Sequence, residues 1–137
     1  MKKYLLDTNI ISYYLKGFDS LKEKITDNID LLAVSIISYY EIVSGLQSIN
    51  ANRRITEFEK FCELIDIINL DKDSISASCK IYADLKKTGK LIDDIDILIA
   101  GIALSNNLVM VTDNTEHFNR IGGLKIENWR AWYLTHL

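Results

Sequence analysis

Along the chain, short apolar runs alternate with longer segments in which apolar residues recur every three or four positions. The runs are Tyr4-Leu5-Leu6, Leu31-Leu32-Ala33-Val34, Ile67-Ile68-Asn69-Leu70 and Leu108-Val109-Met110-Val111. Unbroken apolar runs of this length are the pattern of strands covered on both faces. Leu124-Lys125-Ile126 is a shorter candidate for a fifth, edge strand. The segments between read as helices: Ile10 to Lys16, closed by Gly17, then Asp19 to about Asn28, Asn52 to Ile65 and Asp73 to Lys87, the last ending near Gly89. Tyr39, Ile42, Val43, Leu46 and Ile49 form one helical stripe, with Ser35 or Ser38 as its cap, and Asp94 to Asn106 is a helix apolar on nearly all sides. Strands alternating with helices predict an α/β domain: a three-layer α/β/α arrangement with a short, mainly parallel sheet. There is no proline, no Gly/Ser-rich linker and no repeat, so residues 1–137 read as one domain.

In parallel α/β sheets ligands bind beyond the carboxyl ends of the strands, where the strand order reverses. Acids stand at those places. Asp7 follows the first run, Glu41 lies one turn into the helix after the second, and Asp113 follows the fourth, preceded by Thr112. Asp93, Asp94 and Asp96 open the apolar helix. Each has an ordinary structural role open to it. Asp7 suits a turn or cap, Ser38-x-x-Glu41 matches a capping box, Asp93 and Asp94 suit a helix N-terminus, and Asp113 suits a loop. Asp96 is the exception, because Ile99, Ala100 and Ala103 share its helical face and no Lys or Arg occurs from Leu91 to Met110. A carboxylate on an apolar stripe needs hydrogen bonds, a partner or a cation, since unpaired burial costs several kcal/mol.

Composition narrows the chemistry. Cys62 and Cys79 have no C-x-x-C spacing and read as buried, reduced thiols; His117 and His136 lie near the C-terminus without a G-x-S-x-G or Cys-nucleophile context. Carboxylates are therefore the candidate reagents. Several converging at one sheet end raise one another's pKa unless Mg²⁺ or Mn²⁺ joins them, and such a site activates water for in-line displacement at phosphorus. The net charge of −3 excludes binding of nucleic acid by a broad basic patch, but four site acids would themselves account for that excess. The longest apolar run, Ile97 to Leu104, is too short to span a membrane, and the apolar stretch after Met1-Lys2-Lys3 breaks at Asp7, so the expected location is the cytoplasm.

Five segments, in order, resemble PIN-domain proteins of the VapC toxin branch. They are Leu5-Leu6-Asp7-Thr8-Asn9-Ile10-Ile11, Val34 to Gly45 around Glu41, Asp94 to Gly101, Val111 to Phe118, and Gly122 to Trp129. The resemblance implies a metal-dependent endoribonuclease toxin, often acting on transfer RNA and leaving 3′-hydroxyl and 5′-phosphate ends. It implies a homodimer and a cognate VapB-like antitoxin that blocks the site. By position, Asp7, Glu41 and Asp96 match the three acids that hold Mg²⁺ or Mn²⁺. The fourth position falls on Asp113 or Asn114, and Thr8 and Thr112 match hydroxyls that position carboxylates or water.

Two other classes compete on the residues alone. One is a catalytically inactive module of the same fold that binds RNA or protein. The other is a phosphoryl-accepting receiver, weakened by the lack of a Lys at the later strand ends. Arg53-Arg54 and Lys86-Lys87…Lys90 read as solvated helix faces, and Trp129, Trp132 and Tyr133 as core or dimer residues; at least one of Tyr39 and Tyr40 belongs to the core.

Overall fold

A computed structural model describes residues 1–130. At its centre is β1 (Tyr4–Leu6), flanked by β2 (Leu32–Ser35) on one side and β4 (Val109–Val111) on the other. β3 (Asp66–Ile68) and β5 (Ile126–Glu127) complete a five-stranded sheet in the order β3-β2-β1-β4-β5, and every pair is parallel. The helices are α1 (Thr8–Leu15), α2 (Asp19–Asp27), α3 (Ile36–Ser48), α4 (Asn52–Cys62), α5 (Lys72–Lys87), α6 (Asp94–Ser105) and the short α7 (Thr115–Phe118). The three-layer α/β prediction holds.

Two apolar layers sandwich the sheet, as the unbroken strand runs require. Leu6, Val34 and Val111 pack on one face with Ile10, Ile11, Ile42, Phe58 and Trp129. Leu5, Ala33 and Met110 pack on the other with Ile81, Leu85, Ile99, Ile102 and Phe118. Trp129 is fully buried edge-on to Tyr4, so it is a core residue; Trp132, Tyr133 and His136 lie outside the described residues. Tyr39 packs on the core while Tyr40 is exposed. The expectation of two buried thiols is not met: Cys79 is exposed on α5 and Cys62 is half-buried; both cysteines are free.

Most element boundaries fall within one to three residues of those read from the pattern. Leu31 closes a 3₁₀ turn instead of opening β2, and β3 starts at Asp66 because its pairing with Ala33–Ser35 sets the frame at that edge. α7 was not anticipated; four residues are too few to show a helical period. α5 and α6 approach so closely that a Cβ on Gly101 would stand 2.0 Å from Ser78 Oγ and 2.6 Å from the Ser74 carbonyl oxygen. That contact explains a glycine inside an otherwise strongly helical segment.

Candidate active site

The register of the sheet assembles the site. Val34, Leu6 and Val111 form one row across β2, β1 and β4. The residues immediately after that row are Ser35, Asp7 and Thr112, so three chain segments deliver polar side chains to one edge. The strand order reverses at β1, with β2 and β3 on one side and β4 and β5 on the other, and the acids gather in that crevice.

Asp7 is the N-cap of α1 and is 5% exposed. Its Oδ1 accepts from the Thr8 backbone N–H at 2.8 Å and its Oδ2 from the Thr112 hydroxyl at 2.7 Å. Burial outweighs these bonds and, with the negative charge of Asp96 and Glu41 added, pushes its carboxyl up to about 6. Asp96, half-buried in the first turn of α6, is also pushed up, first by burial, then by Asp93 and Glu41, while His117 offsets part of the rise. Glu41 accepts from the Thr8 hydroxyl at 2.7 Å. The capping box expected of Ser38 and Glu41 is absent: Ser35 is the cap of α3, accepting from the Ser38 N–H at 2.9 Å, which leaves Glu41 to face α1.

One cleft is lined by Asp7, Thr8, Asn9, Ser12, Tyr13, Lys16, Glu41, Asp96 and Asn114. The structure therefore brings together Asp7, Thr8, Glu41, Asp96 and Asn114, with buried Thr112 beneath Asp7. It does not bring Asp113 to the cleft. That carboxylate accepts from Asn128 Nδ2 at 3.0 Å and pairs with Arg130 Nη1 at 3.2 Å, and Arg130 in turn lies 4.1 Å from the centre of the Tyr13 ring. Asn114 takes the inward place: its N–H donates to Thr112 Oγ1 at 2.9 Å and its side-chain Nδ2 lies 2.9 Å from His117 Nδ1.

No ion pair among the described residues involves Asp7, Glu41 or Asp96. The set thus carries surplus negative charge on hard oxygen donors; burial first, and the neighbouring acids after it, hold the Asp7 and Asp96 carboxyls above their ordinary value. These donors suit Mg²⁺ or Mn²⁺ by type and by charge. Among the described residues, no three acid, His or Cys side chains are drawn in around a single point; Asp7 and Glu41 are each turned to a threonine hydroxyl instead.

Residues that motif reading missed are Ser12, Tyr13, Lys16 and His117. Asn9, Tyr13 and the C-cap Lys16 are spaced by four and three along α1, so helical periodicity puts Tyr13 and Lys16 on the face of Asn9. His117 lies three residues after Asn114 in the one-turn helix that the pattern did not reveal.

The PIN domain sequence profile matches residues 4–124. A Shigella flexneri protein named tRNA(fMet)-specific endonuclease VapC is 33% identical over 131 residues, covering 94% of this chain and 99% of its own length. Ribonuclease VapC2 of Haemophilus influenzae is 34% identical over 131 residues, with the same coverage of both chains. A solved structure of DNA-bound VapBC from Salmonella typhimurium includes a chain that superposes with a TM-score of 0.88 at 30% identity, covering 94% of this chain and 99% of that one.

Proposed function

Because the chain belongs to the PIN-domain family, we propose that it is a VapC-type endoribonuclease toxin, folded as one domain and held in check by a VapB-like antitoxin. The observation that carries this is the group of Asp7, Glu41 and Asp96 around one crevice, with no ion pair to any of them among the described residues. Asp7, Glu41 and Asp96 would hold Mg²⁺ or Mn²⁺, which when bound supplies an activated water and neutralises charge at the phosphate. Thr112 and Thr8 keep the Asp7 and Glu41 carboxylates aimed. Asn114 fills the fourth position, in place of the ion-paired Asp113.

The substrate is RNA, with transfer RNA the first class to test, given the name of the Shigella relative. Lys16 at the cleft rim would meet a phosphate. Water adds to phosphorus, the bond to O3′ breaks, and the products carry 3′-hydroxyl and 5′-phosphate ends. No helix among the described residues is long and apolar enough to cross a membrane, which accords with action in the cytoplasm. The proposed homodimer would use the outer face of α5 and α6, where Ile75, Tyr82 and Ile95 are exposed.

The test is purified protein on a transfer RNA pool with Mg²⁺ or Mn²⁺, beside Asp7→Asn and Asp96→Asn, with the cut ends sequenced. Metal-dependent cleavage by the parent and loss of at least about 100-fold in both variants is expected. Equal cleavage by parent and variants would overturn the proposal.

A further inference from the structure

We infer that Ser38 is a positioning residue, which acts through Thr8 to hold Glu41 in place for a divalent cation; this rests on the reading of Glu41 as a metal-holding residue. Thr8 Oγ1 lies 2.7 Å from Glu41 Oε1 and 2.9 Å from Ser38 Oγ. Ser38 Oγ lies 3.2 Å from Ser35 Oγ, which accepts from the Ser38 N–H at 2.9 Å. Each hydroxyl has one proton to give, and an ionised carboxylate only accepts. The Thr8 proton therefore belongs to Glu41. Ser38 must then supply the proton of its contact with Thr8, and Ser35 that of its contact with Ser38.

The three hydroxyl protons thus run one way, Ser35 to Ser38 to Thr8 to Glu41, each bond polarising the next. Ser35 and Ser38 are 0% exposed, so water does not compete for their protons. Ser35 already caps α3, and the Ser38 hydroxyl takes no part in that cap. Its geometry instead ties α3 to the first residue of α1. Thr8 is gripped through its lone pair by Ser38, so its rotamer is set and its O–H is aimed. Glu41 is thereby held in the crevice that it shares with Asp7 and Asp96.

The experiment is a double-mutant cycle read by Mn²⁺ binding alone, following the free Mn²⁺ signal by electron paramagnetic resonance without RNA. Ser38→Ala and Thr8→Val should each weaken Mn²⁺ binding by about 10-fold, the usual effect of removing a residue behind a metal ligand. The double variant should bind no more weakly than Thr8→Val, because both changes cut one chain of bonds. Ser38→Cys keeps a weak donor and should fall between parent and Ser38→Ala; it also serves as the arm of the cycle if the alanine variant unfolds. Binding by Ser38→Ala within twofold of the parent would overturn the inference, as would losses that multiply in the double variant. Glu41→Gln separates the two levels. If it binds Mn²⁺ as the parent does, the metal reading of Glu41 fails; if it weakens binding while Ser38→Ala does not, only the role of Ser38 fails.

Discussion

Asp7→Asn should abolish cleavage and yet stabilise the metal-free protein at neutral pH. The carboxyl titrates near 6 in the fold against an ordinary value of 3.8. Between those values the folded protein holds a proton that the unfolded chain has released. The stability tied to this group is therefore present at low pH and is lost as pH rises through 6, a loss of about 3 kcal/mol at pH 7.5. An amide removes that loss. It also replaces the acceptor now facing the Thr112 hydroxyl with a donor, costing about 1–1.5 kcal/mol. The net gain is about 1.5–2 kcal/mol at pH 7.5. Urea unfolding of parent and variant in chelator measures it, and repeating at pH 4.5 isolates Asp7, because there the parent carboxyl is already mostly protonated and the gain should vanish. Adding Mg²⁺ at pH 7.5 should stabilise the parent by about 2.7 kcal/mol at one hundred times Kd and the variant far less. A variant less stable than the parent at pH 7.5, or a difference indifferent to pH, would refute the reasoning.

Other outcomes follow from the same geometry. Asp113→Asn should keep cleavage within about threefold of the parent, since its carboxylate serves Arg130 and Asn128, while Asn114→Ala should lose 10-fold or more, about 1.4 kcal/mol of transition-state stabilisation, in a steady-state RNA assay. Lys16→Ala should raise KM for RNA several-fold with little change in kcat, and the effect should shrink at high salt. Gly101→Ala should destabilise the fold by about 2 kcal/mol despite alanine's better helix propensity, because the new methyl meets Ser78 Oγ and the Ser74 carbonyl; chemical denaturation reads this directly.

The sequence pattern carried the fold because the strands are buried on both faces and so appear as apolar runs. It carried Asp96 because a carboxylate facing Ile99, Ala100 and Ala103 is conspicuous without any knowledge of tertiary contacts. It could not choose between Ser35 and Ser38 as cap, since both fit and the choice depends on where β2 stops. Nor could it separate Asp113 from Asn114. The chain bends at Asp113, whose carboxylate turns to an Arg130 seventeen positions later, while the Asn114 N–H closes onto Thr112 Oγ1 and Asn114 lines the cleft. Only the pairing of β4 beside β1 fixes which side is inward.

The central position of β1 also has a temporal meaning. The hydroxyl that orients Asp7 belongs to Thr112, made 105 residues later, at the end of a strand that must slot in beside β1. At about 5–20 residues per second, roughly 5 to 20 s separate the two on a ribosome. A chain broken off before β4 holds Asp7, Glu41 and Asp96 but has no Val111–Thr112 edge to close the crevice. Copies broken off before β4 would therefore lack the hydroxyl that orients Asp7, and the assembled site exists only once Thr112 has been made.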